Sequence, residues 1–413
     1  MTIVGGPSAA NRPVAPAPPT ALYVHIPFCV SLCPYCDFVV VAGAAARGPK
    51  ARVGAFVEAL LREIDLRGLD VAARFGTRRP RLDSVYLGGG TPSLLSADDI
   101  AAILDRVERR FGVARDAEIT LEANPGVDER GDPRELRAAG VTRISFGAQA
   151  METASLRRLG RRHRPVDVVD AVNGARAAGI RSINVDLLYD VPEQSLGTWM
   201  ATLDAVLDLA PDHLSLYALT LDDPEAEGLT GPLGDHLPTP SGARRWRVDA
   251  RAAQDEDRAA AAYHHAVVTL DGAGYRGYEI SNWARRGHES RHNLGYWRRR
   301  PHEAVGPGAH AFDGAARRWN AARLGGYIDA LTAGRLPPGG SEPVDPAIVA
   351  AERAILALRL DTGLPLADAY EPPVGEHLGW ALATELVNVT DDDRVVLTTR
   401  GRLLSNELFA RLV

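Results

Sequence analysis

The sequence is poor in sulfur. Its 413 residues include only three cysteines and three methionines, and all three cysteines lie in one stretch, HIPFCVSLCPYCDF, at residues 25–38. Secreted domains that depend on disulfides distribute paired cysteines along a short chain. An odd number of cysteines in one short segment therefore excludes a disulfide framework and favours a reducing compartment.

Long apolar runs and a surplus of one charge are also missing. No stretch reaches about eighteen apolar residues without a charge or a helix breaker, so no membrane-spanning helix is predicted. The first residues are rich in proline and alanine and lack the basic start and apolar run of a signal peptide. A net charge of -6 provides no broad basic surface for nucleic acid. We expect a cytoplasmic protein without a membrane span or a nucleic-acid partner.

The length and composition indicate more than one globular unit. Hydrophobic residues at 46% and charged residues at 24% are ordinary globular values, and the chain is longer than a typical domain. Changes of pattern predict a tail at 1–20, a core at 21–225, an extension at 226–325 and a smaller domain at 326–413. Residues 224–257 are rich in Pro, Gly, Arg and Asp and are predicted to form an insertion or mobile loop.

Short β-rich segments alternate with helical segments in the first half of the chain. Strands are predicted at 22–26, 84–87, 118–122, 143–146, 183–188 and 213–219. This alternation predicts an α/β fold with parallel strands. Nearer the C-terminus, 344–360 predicts an amphipathic helix, and 389–412 predicts a β-hairpin with an acidic tip that leads into a helix. We predict a small helical and winged domain there, used for packing or docking because the acidic tip would repel phosphate.

Glycine and polar residues collect where the predicted strands end. GGGTP at 88–92 follows the second strand, Glu122 ends the third, and Gln149, Asp186 and Ala218 lie at later strand ends. In α/β barrels the carboxyl edge of the strands carries the chemistry. The sequence therefore predicts a binding or catalytic site at this edge.

The spacing of Cys29, Cys33 and Cys36, C-x3-C-x2-C, allows two kinds of metal site. Structural zinc normally has four ligands, so zinc would need a fourth one such as His25, and the spacing fits common zinc pairs poorly. An iron-sulfur cluster held by three thiolates would leave one iron open to a ligand that is not protein. The spacing alone leaves both hypotheses open.

The chain resembles the radical S-adenosylmethionine superfamily, whose signature is C-x3-C-x2-C after the first strand of a β/α barrel. The stretch YVHIPFCVSLCPYCDF is similar to the oxygen-independent coproporphyrinogen III oxidase group. From Tyr23 nearly to the C-terminus, further segments match in family order: LGGGTPSLL, TLEANP, ISFGAQ, LGRRH, INVDLLY, YEISNWAR, HNLGYW and GPGAH. The resemblance implies a partial (β/α)6 TIM-like barrel followed by a smaller C-terminal helical and winged domain.

The resemblance also implies the cofactors. In this superfamily three cysteines, here Cys29, Cys33 and Cys36, hold a [4Fe-4S] cluster, and the fourth iron chelates S-adenosylmethionine, whose cleavage yields a 5'-deoxyadenosyl radical. Contacts with S-adenosylmethionine are implied for Tyr23, Tyr35, Gly89, Gly90, Thr91, Glu122, Gln149, Arg161, Asp186 and Ala218. One departure is Tyr-Asp-Val-Pro at 189–192, where the family commonly has Tyr-Gly-Leu-Pro, so the geometry of that loop is expected to differ.

Three features favour the HemW branch, whose members behave as heme chaperones, over the oxidase. The oxidase has a further cysteine two positions after the third, where this chain has Phe38, and it has a structured N-terminal segment over its substrate. In addition, HNLGYW matches the H-N-x-x-Y-W motif of the HemW relatives. The match implies His292 as a heme ligand, beside a flat wall formed by Tyr296 and Trp297. His163 and His310 are further ligand candidates, and His25 is expected to lie close enough to the cluster to contact its ligands.

Three hypotheses follow. The leading one is a cytoplasmic heme chaperone that carries a [4Fe-4S] cluster and exchangeable S-adenosylmethionine and passes heme to an acceptor, for which a respiratory protein is one candidate. The alternative is an oxygen-independent coproporphyrinogen III oxidase, which would be an enzyme. The third is a noncatalytic zinc module. A reductant protein and a homodimer are further expectations.

Overall fold

The computed structural model describes residues 15–46 and 51–413, and the predicted tail lies largely outside the described residues. The strands are β1 (Ala21–Ile26), β2 (Phe28–Cys29), β3 (Val41–Ala42), β4 (Leu82–Gly89), β5 (Val113–Ala123), β6 (Arg143–Gln149), β7 (Ser182–Tyr189), β8 (His213–Ala218), β9 (Arg276–Gly277), β10 (Asn282–Ala284), β11 (His302–Val305), β12 (His310–Phe312), β13 (Ala316–Asn320), β14 (Gly339–Pro343), β15 (Leu364–Pro365), β16 (Val387–Val389) and β17 (Arg394–Leu397).

The α-helices lie between these strands and continue to the C-terminus. They are α1 (Val53–Phe75), α2 (Ala97–Phe111), α3 (Pro133–Ala138), α4 (Thr153–Arg158), α5 (Pro165–Ala177), α6 (Leu196–Leu207), α7 (Ser241–Ala252), α8 (Glu256–Gly272), α9 (Arg291–Trp297), α10 (Leu324–Thr332), α11 (Pro346–Arg359), α12 (Leu366–Ala369), α13 (Val374–Ala383), α14 (Thr399–Leu403) and α15 (Ser405–Phe409). Short 3-10 helices occupy Gly43–Ala45 and Pro92–Leu94.

One large sheet organises the molecule. Its strand order is β14, β13, β12, β11, β1, β4, β5, β6, β7, β8, β10 and β9. The six predicted strands β1, β4, β5, β6, β7 and β8 lie side by side in chain order and pair in parallel. The predicted α/β fold is confirmed, and the carboxyl ends of these strands share one edge.

The two faces of the parallel strands differ in polarity. The outer face packs apolar side chains such as Val85, Leu121 and Val185 into a core shared with the surrounding helices. On the inner face, neighbouring strands align a polar layer in register: Glu122, Ser145, Asn184 and His213. A polar layer inside a barrel can bind polar groups of a ligand, whereas the apolar outer layer stabilises the fold.

A buried carboxylate joins helix α1 to the β11–β14 extension. Glu63 is fully buried. Its oxygens accept hydrogen bonds from the Gly306 backbone N–H, the Tyr327 hydroxyl and Asn320 Nδ2, each at 2.8 Å, and from Arg67 Nε at 3.3 Å. This network compensates the burial of the Glu63 and Arg67 charges and positions β11 beside β1.

The C-terminal segment has a second hydrophobic core, which contains Ala354, Leu358, Leu378, Val395 and Leu408. Strands β15, β17 and β16 form a small antiparallel sheet. The predicted amphipathic helix and the hairpin with its acidic tip at 391–393 are confirmed by α11, β16 and β17. The exact domain boundaries stay a prediction.

The prediction of a loop over the whole of 224–257 is wrong in its second half. Helix α7 occupies Ser241–Ala252, and α8 begins at Glu256. The helix forms because 243–252 contains neither Pro nor Gly and because Ala243, Arg247 and Ala250 bury one face. Across the part of the chain that the structure describes, no helix is long and apolar enough to cross a membrane.

Candidate functional site

The three cysteines lie in one loop after β1, at the carboxyl edge of the sheet. Cys29 ends β2, which pairs with β3 and closes the base of the loop. The Cys36 N–H donates to the Cys33 carbonyl at 3.1 Å, and this hydrogen bond closes a turn from Cys33 to Cys36. All three are free and partly buried. We call residues 29–41 the cysteine loop.

A chain of polar contacts connects this loop to neighbouring strand ends. Cys29 Sγ lies 3.5 Å from Thr91 Oγ1, which accepts from Asn124 Nδ2 at 3.1 Å. Arg161 donates to Asn124 Oδ1, and its Nη1 atom lies 3.6 Å from Cys33 Sγ. Two cysteines are therefore joined to three residues that lie far apart in the sequence.

Burial keeps the thiols of Cys29 and Cys36 neutral when no metal is bound. Burial raises the pKa of Cys29 to about 11 and also raises the pKa of Cys36. Thiolates in such a site need a compensating positive charge. Among the described residues no group of three His, Cys, Asp or Glu side chains could hold a single metal ion. A cubane cluster makes a different demand, since each cysteine binds its own iron atom.

The glycines of GGGTP allow β4 to approach the cysteine loop. A Cβ on Gly90 would lie 2.6 Å from the Phe28 carbonyl oxygen. Gly89 has φ of 108° and is packed on the His25 ring, which a Cβ would meet at 2.4 Å. Larger residues would therefore displace the loop. The Gly90 and Thr91 N–H groups also donate to the Ile26 and Phe28 carbonyls, at 2.8 and 2.7 Å.

Glu122 faces the barrel interior and binds β4. It accepts from the Tyr86 hydroxyl at 2.7 Å and from the Gly89 N–H at 2.9 Å. Burial raises the Glu122 pKa to about 7. Two residues beyond Asn184 of the polar layer, toward the carboxyl edge, Asp186 accepts from Ser145 Oγ at 3.0 Å and from Asn184 Nδ2 at 2.6 Å, and burial raises its pKa as well.

The other predicted contact residues lie around this interior. Tyr23 is on β1, and its hydroxyl lies 3.0 Å from His25 Nδ1. The direction of this hydrogen bond depends on the tautomer of the histidine. Gln149 ends β6 with φ of 66°, a left-handed conformation that is uncommon for a residue other than glycine. Tyr35 packs against an apolar cluster and also interacts with Cys33 and Arg161 of the polar network. Ala218 ends β8 beside Tyr189. Their contact with a ligand stays a prediction.

The histidine of HNLGYW is buried under the polar interior. His292 Nδ1 lies 3.0 Å from Ser84 Oγ and Nε2 lies 2.8 Å from the Tyr296 hydroxyl, so both ring nitrogens have partners. The ring packs on Tyr86 at 5.1 Å, and burial lowers its pKa to about 3. Heme ligation by His292 stays a prediction, and in this conformation it would require one of these hydrogen bonds to break.

The other candidate histidines differ in exposure. His163 is buried and its Nε2 lies 3.0 Å from the Ala148 carbonyl oxygen. His25 is buried, with Nε2 2.8 Å from the Val39 carbonyl oxygen in the cysteine loop. Burial lowers the pKa of both to about 4. His310 is half exposed and is paired with Asp235.

Two functional contacts were not predicted from the sequence. Arg247 of α7 is buried and donates to the carbonyl oxygens of Pro34 at 3.0 Å, of Cys36 at 2.9 Å, and of Asp222. The carboxylate of Glu118 accepts from the first N–H groups of α9, including that of His292 at 3.2 Å. The absence of Pro and Gly from residues 243–252 could have indicated the helix that carries Arg247.

Arg247→Met is expected to loosen the cysteine loop, since each hydrogen bond from a charged donor contributes about 1.5–3 kcal/mol. In the anaerobic, cluster-free protein, alkylation of Cys33 and Cys36 should accelerate roughly tenfold or more, as measured by mass spectrometry. Arg245→Met, an exposed arginine on the same helix, is the matched control. Equal alkylation rates in both variants would show that Arg247 does not hold the cysteine loop in place.

Glu122→Gln is expected to change how stability depends on pH. Unfolded Glu122 titrates near 4.5, and the folded protein holds its pKa at about 7, so folding takes up a proton between these values. The stability contributed by the neutral carboxyl is complete below pH 4.5 and is lost as the pH rises to about 7. The free energy of unfolding of the wild type minus that of the variant should fall by up to about 3 kcal/mol over this window.

Urea denaturation of the cluster-free protein at several pH values measures this difference. Exposed Glu227→Gln is the control and should give a curve parallel to the wild type. A parallel curve for Glu122→Gln would show that its carboxyl titrates normally.

Comparisons with known proteins agree with this geometry. A family model described as the Radical SAM superfamily matches residues 23–206. Among solved structures, the coproporphyrinogen III oxidase HemN from Escherichia coli, a radical SAM enzyme, superposes with a TM-score of 0.78 at 24% identity. The match covers 98% of this chain and 92% of that one. At this identity the match shows the fold alone, and the predicted partial barrel with its smaller C-terminal part is confirmed.

Curated relatives are more similar in sequence. A protein named heme chaperone HemW from Mycobacterium tuberculosis is 36% identical over 400 residues, 96% of each chain. A protein of the same name from Escherichia coli is 38% identical over 293 residues, which cover 71% of this chain and 70% of the relative. Similarity of this extent, together with the cysteine loop at the carboxyl edge of the barrel, shows that the chain belongs to the HemW family within the radical SAM superfamily.

Proposed function

We propose that this protein is a cytoplasmic heme chaperone, which binds heme and transfers it to an acceptor protein. The observation that carries the proposal is a cleft of about 290 Å³ between the cysteine loop and the HNLGYW helix, lined by Tyr23, Phe38 and Tyr296 among others. Aromatic side chains in the wall of a cleft suit a flat macrocycle. The names of the curated relatives support the same ligand.

Within this proposal, Cys29, Cys33 and Cys36 hold a [4Fe-4S] cluster, and S-adenosylmethionine binds at the adjoining strand ends. When bound, the cluster supplies an electron donor and an open coordination position for the amino acid end of S-adenosylmethionine. Thr91, Asn124 and Arg161 keep Cys29 and Cys33 in place through their hydrogen-bond chain. Glu122 and Asp186 offer carboxylates to the polar edges of the ligand.

The alternative is an oxygen-independent coproporphyrinogen III oxidase. The similarity of the fold to HemN favours it. Phe38, which is 59% exposed at the rim of the cleft, stands where the oxidase motif continues with a cysteine and argues against it. Transfer of heme requires no such cysteine, so the chaperone fits this chain better.

Cys33→Ala should abolish the visible absorption of the anaerobically reconstituted cluster, since two thiolates do not hold it. Heme binding should persist, because the cleft is walled by other residues. Iron analysis and absorption spectra of the same sample measure both. Retention of four irons per chain in this variant would contradict the cluster assignment, and zinc in place of iron in the wild type would support the zinc module.

The wild type should bind heme at about one per chain and leave coproporphyrinogen unchanged in a parallel assay with S-adenosylmethionine. Turnover without heme binding would favour the oxidase. His292→Ala should weaken heme binding, because it removes either an axial ligand or the partner that holds Tyr296 in the cleft wall. A shifted Soret band would indicate a lost ligand, and lower affinity with an unchanged band would indicate a lost wall contact. His288→Ala is the control.

A further inference from the structure

Beside the cysteine loop, the same cleft contains a pair of histidines that share one carboxylate. Asp235 and His236 follow a bend of the chain between β8 and α7, and His310 begins β12. His236 Nδ1 lies 3.0 Å from Asp235 Oδ1, and His310 Nε2 lies 2.8 Å from Asp235 Oδ2. All three residues line the cleft. His310 ends the family-like segment GPGAH, whereas Asp235 and His236 lie outside all of the family-like segments.

The segment that carries Asp235 and His236 is anchored in the wall of the cleft. Trp319 Nε1 donates to the Leu233 carbonyl at 3.2 Å, and the Ala322 N–H donates to the Gly234 carbonyl at 2.9 Å. Gly308 has φ of 72°, and a Cβ there would lie 2.5 Å from Val39 and 3.0 Å from the Asp235 carbonyl oxygen. This close approach joins the segment to the cysteine loop, so His236 is held at a defined place.

The two imidazoles differ in which nitrogen remains open. When Nδ1 of neutral His236 donates to Asp235, Nε2 carries the lone pair, and it has no hydrogen-bond partner among the described residues. His310 uses Nε2 for Asp235, and its ring is stacked on Trp319 with centroids 6.2 Å apart. His25 is engaged at both nitrogens, by Tyr23 and by the Val39 carbonyl. His310 Nδ1 likewise has no hydrogen-bond partner among the described residues, but its ring is held against Trp319. We therefore take His236 as the imidazole of the cleft that is freer to bind a metal.

An imidazole whose far nitrogen donates to a carboxylate is a strong axial ligand for heme iron, because the carboxylate fixes the tautomer and raises the basicity of the ligating nitrogen. The cleft also offers aromatic side chains to the macrocycle, since it is lined by Tyr23 and Tyr296 and by Phe38, which is exposed. Asp37 and Asp235 repel carboxylates at this end of the cleft. The heme propionates would then extend away from them, toward solvent.

We propose that His236, oriented by Asp235, is an axial ligand of heme held in this cleft. The inference rests on the proposed function, since it assigns the ligand within the heme site. In this arrangement His292 contributes as a positioning residue, because its Nε2 fixes the Tyr296 hydroxyl at 2.8 Å while Tyr296 lines the cleft.

The test is a titration of the full-length, cluster-loaded protein with hemin, followed at the Soret band. His236→Ala should shift the band and weaken binding roughly tenfold or more, and imidazole added to solution should restore the band position of the wild type. His264→Ala, an exposed histidine on α8, is the matched control and should behave as the wild type.

Asp235→Asn is the second variant and keeps the ligand and its volume. Loss of the carboxylate should raise the midpoint potential of bound heme, because the carboxylate stabilises the ferric state. Circular dichroism of this variant must match the wild type, because altered burial of the heme would also move its potential. The midpoint potential also decides the proposal if His236→Ala fails to fold, as judged by circular dichroism.

The outcomes separate the inference from the proposed function. If the wild type binds no heme, the proposed function fails and the inference fails with it. If the wild type binds heme and folded His236→Ala retains the wild-type Soret band and affinity, only the inference is overturned. An unchanged midpoint potential in Asp235→Asn would likewise overturn it while leaving the chaperone in place.

Discussion

The geometry of the whole site depends on the buried carboxylate of Glu63. Its hydrogen bonds to Gly306, Asn320 and Tyr327 join the first helix of the barrel to residues 243 to 264 positions later, just after β11, in β13 and in α10. Water cannot replace these partners in the core, so separation of the two parts would leave a buried charge unpaired. The strand β11 that this network positions beside β1 leads directly into the residues that form one wall of the cleft.

The cysteine loop is held from several sides by residues that have no cysteine chemistry of their own. Arg161 and Thr91 contact two of the sulfur atoms, Arg247 binds the backbone of the loop, and His25 binds its far end at Val39. A loop with three free, partly buried cysteines has little internal structure to keep it in shape. Its conformation is therefore a property of the surrounding barrel, and this preorganisation prepares it for a large inorganic ligand.

The comparison with HemN illustrates how one fold can serve two functions. The two chains superpose over nearly their full lengths, so the barrel itself does not distinguish a chaperone from an oxidase. In this chain the cleft is lined by Phe38 at its rim, by Tyr296 of the HNLGYW helix, and by the segment that brings Asp235 and His236 to it. These are the residues in which the proposed handling of heme would reside.

The sequence by itself determined the parallel strands, the cysteine loop and the family, because strand periodicity and a C-x3-C-x2-C spacing are local properties that a linear pattern records. It also identified the strand ends that carry Glu122 and Asp186, since the carboxyl ends of parallel strands meet at one edge. Only the tertiary structure decided the availability of the histidines. His292 lies in the most recognisable motif, yet both of its nitrogens are occupied by Ser84 and Tyr296, whereas His236 lies in a segment without any motif and retains an open nitrogen. Hydrogen-bond partners far apart in the chain decide which imidazole can bind a metal, and no local pattern records them.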